Sequence, residues 1–420
     1  MTSELENKIE EANARALDII INGQPTWKDV KPAGEHIKTL QENMVLHAGP
    51  PMEPQNASQP FRTAVSGAAV HEGLAKTPEE AWKMVEAGEI ILGSQLDHGG
   101  ASGAVNCVTR STPIMIVENT EQGTTGFCTF HEGPSKSLLR WGVYNQEVED
   151  RLTFFGDVLG PALSQAVRSI DGINLRNIAA RAEAMGDENH SRQLASTALL
   201  YEQLMPAIMD IDIDHATRKQ VVNFLCTGER FFLHAFIAGA VSVLAGVKGM
   251  EYCTLMVHQG GNGYEFGTKF AFSGDDWYTA SCPICTGPYL NPEWDASVAV
   301  GYLGDSCCVE TYGFGGNSAA AGPMVVHLTG GDFQDALDRT ASAREICIGS
   351  LDWAPIPCLN FQGPPVGFDL RKVVATGITP VCHGGMHHIK GGQAGAGYMN
   401  VPLECFVQAL EKFAEKYNVM

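Results

Sequence analysis

The stretch from Val148 to Val247 sets the main limit on the fold. Glycine is sparse in its middle and helical periodicity dominates, while strand-like runs and glycine loops lie on either side. "NHSRQLASTALLYEQLMPAIM" and "HATRKQVVNFLCTGERFFLHAFIAGAVSVLAG" each read as a long helix. The chain has 420 residues, more than one compact core usually organises. The expected fold class is therefore α/β (mixed α+β) and multidomain, with a helical domain inserted in the middle of the chain. An N-terminal α/β domain spans residues 1–147, the helical domain 148–247, and a C-terminal mixed α/β domain with glycine-rich loops 248–420.

Local patterns fill in this outline. Leu5, Ile9, Ala12, Ala16 and Ile19 recur at helical spacing over residues 4–21. "MVLHAGPPM", "IILG" and "PIMIVEN" read as short strands. "TPEEAWKMVEAGE" is a helix start, with Thr77 as N-cap and Pro78 in the first position. After Gly249, "EYCTLMVHQ", "GYEFGTKFAF" and "PMVVHL" have strand character. "GGDFQDALDRTASAREI" and "PLECFVQALEKFAEKYN" read as amphipathic helices.

Charge narrows the range of partners. Lysine and arginine number 28 against 48 acidic residues, so the net charge is −20. A nucleic-acid duplex or an anionic membrane surface would repel such a chain, and no basic cluster offsets this. No run of 18 apolar residues predicts a membrane span. The amphipathic N-terminus lacks the basic segment of a signal peptide, so a cytoplasmic location is expected, with the cysteines as thiols.

"HGGMHHIKGGQAGAG" (His383–Gly397) admits three readings: a metal site, an anion-binding loop or a plain turn. His387 and His388 are adjacent and cannot easily face one ion, and no His-Glu-x-x-His occurs; His71-Glu72 and His131-Glu132 each lack the second histidine. No metal is expected. Glycine lets successive backbone N–H groups converge on an anion, and Lys390 adds charge. "GDSCCVETYGFGGNSAAAGP" (Gly304–Pro323) is a second such stretch, with Asn317 or Ser318 as a helix cap. In "MVHQGGNGYEFG", Asn262-Gly263 reads first as a hairpin turn. Asp97 and His98 follow one predicted strand and His47 ends another, where α/β proteins keep ligands. "MGDENHSRQ" gathers Asp187, Glu188, His190 and Arg192; Asp187 or Asn189 reads as a helix cap, or else Arg192 and His190 reach onto an acid group. Cys282 and Cys285 have dithiol spacing without a second pair, and no Gly-x-Ser-x-Gly elbow supports a serine hydrolase.

Several segments in order carry a resemblance. They are "HAGPPM", "MGDENH", "ASTALL", "GDS" with "ETYGFGG", "GFDLRKVVATGITP", "GQAGAG" and "PLECF". Together, from about Trp27 to Phe406, they resemble the YlbE-like family, whose members are similar to a subunit of oxamate carbamoyltransferase encoded among allantoin-catabolism genes. The resemblance implies a mixed α/β fold with a helical domain, carbamoyl transfer involving oxamate or oxalurate and phosphate, and partner subunits. The Ser-Thr-Arg-Thr loop of better-known transcarbamylases is not matched. Thr109-Arg110-Ser111-Thr112 has another order, and Pro113 with a strand follows.

The expected function is thus a subunit of a transferase acting on a small anionic amide or ureido acid. Carbamoyl phosphate or phosphate is the second substrate, and no cofactor is expected. Backbone at Gly315, Gly316, Gly395 and Gly397, with Asn317 and Gln393, would hold the anion. His98 and His388 would move protons, Asp305 would orient the amide, and His47, His190 and Arg192 would contact substrate. A homo-oligomer or a hetero-oligomer with other carbamoyltransferase subunits is expected. An amidohydrolase of ureides and a non-catalytic scaffold subunit are the alternatives.

Overall fold

A computed structural model describes residues 3–418. Its strands, in chain order, are β1 (Pro25–Pro32), β2 (Met44–His47), β3 (Ile91–Ser94), β4 (Pro113–Asn119), β5 (Thr124–Thr129), β6 (Ile173–Asn174) and β7 (Met256–Asn262). They continue as β8 (Glu265–Phe270), β9 (Tyr278–Ser281), β10 (Leu303–Gly304), β11 (Cys347–Ser350), β12 (Pro365–Phe368), β13 (Val381–His387) and β14 (Gln393–Asn400).

The first sheet has the order β5-β4-β1-β6, antiparallel throughout. Helix Phe231–Leu244 packs on β4 and β5, and helix Gly160–Ser169 packs on β1. Cover of this kind explains why "PIMIVEN" is a continuous apolar run rather than an alternating one. Helix Phe231–Leu244 is buried at every position, as an all-round apolar helix must be. A second sheet runs β10-β7-β8-β9, and β13 pairs with β14 in a hairpin that sets Gly384 opposite Gly397 and Gly385 opposite Ala396.

The helical stretch shares its core with both flanks. Trp27 and Met115, Leu200 and Phe236, and Val257 and Tyr312 belong to one buried cluster. The short strand β6, from inside that stretch, pairs with Thr26 and Trp27 of β1.

Three local expectations are corrected. "HATRKQ…VLAG" is two helices, His215–Cys226 and Phe231–Leu244, interrupted around Gly228. The helix expected from Asn189 starts at Leu194 instead, because Asn189 has φ 61° and buried acids capture the local amides: Glu188 those of His190 and Arg192, Asp187 that of Ser196. "PMVVHL" is a helix, Pro323–Leu328, with proline in its first turn, where its missing N–H costs nothing. Elsewhere local chemistry reads directly. The Thr77 side chain accepts from Glu80 N, and Asp332 and Asp335 form a capping box.

Candidate functional site

A cavity of about 410 Å³ opens where the helical stretch, the loops after β3 and β5, and the β13–β14 hairpin meet. Two helices begin at its wall: Gln193 caps Leu194–Asp210 and Arg230 caps Phe231–Leu244. Neither cap side chain bonds its own helix. At the first helix, Ser196 N is already taken by Asp187, and at the second Phe232 N lies 3.4 Å from Thr197 Oγ1, so the aligned peptide dipoles at both ends are what favours a negative occupant.

The hairpin supplies bare main chain as the facing wall, through Gly384, Gly385, Ala396 and Gly397. These glycines are dictated by close packing. A Cβ on Gly385 would lie 2.2 Å from the Trp141 ring, and one on Gly397 would lie 2.1 Å from Thr286 O.

Three arginines line the cavity: Arg140, Arg192 and Arg230. Arg192 is tied to Asp187, Nη1 to Oδ1 at 2.6 Å. Arg140 is part-buried, and its Nε is fully enclosed with no hydrogen-bond partner. Burial pushes its guanidinium down to about 10, which leaves it cationic at neutral pH. The cavity therefore holds a charge-assisted donor in search of an acceptor.

Histidines complete the lining. His190 donates through Nδ1 to Glu310 Oε1 at 2.6 Å. Burial disfavours its charged form, but the Glu310 carboxylate outweighs burial and Glu188 adds to it, so its pKa is raised. Glu310 is itself fixed, accepting on Oε1 from the backbone N–H of Gly316 and His383. His131 and His234 stand edge to face, 5.3 Å between ring centres. Burial holds His234 down to about 3, with the Arg140 charge adding to it. His131 is held well below its usual value by burial and then by Arg140.

Of the residues singled out from sequence, the structure brings His190, Arg192, Gln393 and Gly397 to this cavity. The others lie elsewhere, each for a visible reason. His98 bonds Thr39 Oγ1 through Nδ1 at 2.6 Å beside β3. His388 sits in the hairpin turn against Trp294, outside the cavity. His47 is buried against Phe61 and bonded to Ala48 O. Gly316 N is taken by Glu310 and Gly315 N by Glu188 O, so the anion in that glycine loop is the chain's own carboxylate. Asn317 bridges Glu310 O and Val381 N. Gly395 is closed off beneath Pro288 O.

Asp305 ties distant loops together, accepting from Gly49 N at 2.6 Å and Ser102 N at 3.1 Å. Burial drives its carboxyl up to about 8 in spite of those bonds. Asp305→Asn turns one acceptor into a donor facing an amide N–H. It should cost roughly 1–3 kcal/mol of stability in urea melts while leaving anion affinity unchanged.

Arg140, Arg230, His234 and Gln193 are not singled out by the sequence, and His131 stands there only as half of a zinc motif. A usable signal existed for His234: a histidine inside "FFLHAFIAGAVSVL" is a buried polar group and must find partners. Arg140 and Arg230 gave none, since their convergence is set by tertiary packing.

Comparison with known proteins supplies the family. The family model described as oxamate carbamoyltransferase subunit AllG matches residues 90–306. The chain is 35% identical to the Escherichia coli (strain K12) protein named oxamate carbamoyltransferase subunit AllG, over 98% of this chain and 99% of that one. This chain belongs to the AllG family. A second relative, YahG of the same strain, is 33% identical over 99% of this chain and 88% of its own length. A crystal structure of a conserved protein of unknown function from Enterococcus faecalis V583 superposes with a TM-score of 0.95 at 33% identity, covering 98% of this chain and 99% of that one. The mixed α/β fold with its helical insertion is therefore an AllG-family fold. The matched segment 90–306 holds most of the cavity's charged lining, from His131 to His234, but stops short of the hairpin. Among the described residues no single helix is long and apolar enough to cross a membrane.

Proposed function

We propose that this AllG-family chain is the subunit of a carbamoyltransferase complex that binds its small anionic substrates, oxamate and carbamoyl phosphate, in the 410 Å³ cavity. The observation that carries the reading is the enclosed Arg140 Nε without a partner, placed where two helix N-termini and a bare glycine hairpin converge. Volume and charge both suit small carboxylates and phosphates.

In the forward direction the oxamate amide nitrogen attacks the carbamoyl carbon. The bond from the carbamoyl carbon to the phosphate oxygen breaks, the proton leaving the nitrogen restores His190 once that ring has protonated the departing oxygen, and oxalurate and hydrogen phosphate result. Arg140, Arg230 and the helix ends hold the anionic groups and stabilise charge that develops on the leaving phosphate. His190, whose protonated form the Glu310 carboxylate favours, donates a proton to the departing oxygen. Partner subunits complete the working enzyme.

The test is direct. Carbamoyl phosphate, oxamate, oxalurate and phosphate should each raise the melting temperature of the purified chain, since a ligand specific to the native state stabilises it. No shift with any of the four would end the proposal. In the reconstituted complex, oxalurate breakdown should require phosphate; breakdown by water alone would make the chain part of a hydrolase.

A pH dependence follows from His190. Its raised pKa keeps the positive charge to higher pH than a free imidazole would. Oxamate, whose carboxylate does not titrate in this range, should bind tightly at low pH and weaken as pH rises through the His190 pKa. Glu310→Gln removes the supporting charge, so the same fall should come at lower pH. Calorimetric titrations at several pH values check both, and identical profiles would remove His190 from the site.

A further inference from the structure

The paired histidines beside Arg140 do something the anion reading leaves unused. Their tautomers are set by backbone. His234 Nδ1 lies 2.9 Å from Thr129 O, and a carbonyl only accepts, so Nδ1 carries the proton and Nε2 is a bare acceptor. His131 Nδ1 accepts from Gly133 N–H at 3.1 Å, so in the neutral ring the proton sits on Nε2, a donor. Both Nε2 atoms are buried and neither has a partner. His131 is 5% exposed and His234 0%, and both line the cavity. Unsatisfied buried polar atoms are costly, and a donor on one ring and an acceptor on its neighbour, with ring centres 5.3 Å apart, suit a group that offers the converse pair. Gly103 keeps the approach open, since a Cβ there would come within 2.6 Å of His234 Nε2.

We infer that His131 and His234 form a carboxamide-reading subsite, in which His131 Nε2–H donates to the substrate's amide oxygen and His234 Nε2 accepts from its amide N–H. This rests on the anion-cavity reading above and adds the basis of selectivity. The arginines hold the charged end of the substrate, and the histidines require the other end to be a primary amide. A dicarboxylate of the same size presents only acceptors, so its second carboxylate would face the His234 lone pair and be repelled. Both rings stay neutral because burial and Arg140 disfavour a second proton, so the pair reads the amide without drawing off its proton. They are positioning residues.

The experiment is calorimetric titration of the whole chain with oxamate, oxalate and inorganic phosphate. Wild type should prefer oxamate to oxalate. His131→Leu and His234→Leu should each weaken oxamate binding roughly 10- to 100-fold, the size of one lost buried hydrogen bond. Phosphate affinity should be unchanged, which also reports an intact fold. His131→Gln and His234→Gln, whose amides offer both a donor and an acceptor, should recover most of the preference. Equal wild-type affinity for oxamate and oxalate, or leucine variants that retain the preference, overturns the subsite and leaves the anion cavity standing. Failure of wild type to bind oxamate or phosphate overturns the cavity reading, and the subsite with it.

Discussion

Arg140→Gln should weaken both oxamate and phosphate binding by about 30-fold or more and abolish measurable carbamoyl transfer, with a lowered but still cooperative melting transition. The side chain lines the cavity with its Nε enclosed and unbonded, so removing it breaks no internal contact through that atom. A charged hydrogen bond to a desolvated anion is commonly worth about 2–5 kcal/mol when one partner is removed, and that range sets the expected loss. Folding should lose stability too, because the Arg140 charge is the main one offsetting the burial of Glu132 and lies 5.5 Å from the Trp141 ring centre, and removing one partner of a buried charge pair leaves the other uncompensated. Arg192→Gln should do less to binding, since its charge is already shared with Asp187 at 2.6 Å. Equilibrium binding and a thermal melt on the same samples decide the matter. An Arg140 variant with unchanged affinity would move the site elsewhere in the molecule.

Gly126→Val should be the most destabilising single change in the first sheet, by about 3 kcal/mol or more, and should leave the chain largely insoluble. Gly126 lies on β5 directly under helix Phe231–Leu244. A Cβ there would stand 2.2 Å from Ala238 O and 2.7 Å from Ser242 N, both rigid main-chain atoms that cannot rotate aside. Helix and strand are further stitched at this point by Thr124 Oγ1, which donates to Ser242 O at 2.6 Å. Overpacking a tight interface usually costs about 1–3 kcal/mol, and here the obstacle is backbone, so the upper end or beyond applies. Since the same helix carries His234 and begins beside Arg230, partially folded variants should also lose oxamate binding. Gly156, with open space around its would-be Cβ, is the control: Gly156→Ala should fold normally.

These two residues show where sequence reading reaches and where it stops. Elements announced by local chemistry are legible: the Thr77 cap, the Asp332 capping box, the apolar run of β4, the Asn262 turn whose side chain accepts from Tyr264 N and Glu265 N. Elements decided by packing are not. "PMVVHL" has the composition of a strand but is held as a helix by the proline at its start. The glycine-rich tail did reach the cavity, through Gln393 and Gly397, because a wall of bare main chain requires glycine. Its twin at Gly315–Gly316 looks the same on paper, yet its amides are already filled by Glu188 and Glu310. A glycine loop shows that an acceptor will be held there, and only the three-dimensional structure shows whose. Arg140 carries no mark at all and His131 only that of half a zinc motif, since each stands alone in its own segment and meets the others only after folding.

The walls of the cavity are drawn from stretches as far apart as Gly103, Trp141, Gln193, His234 and Gly397. An occupant touching all of them would act as a clasp across the whole polypeptide. Amide hydrogen exchange in those five stretches should then slow together when substrate arrives, as a single event.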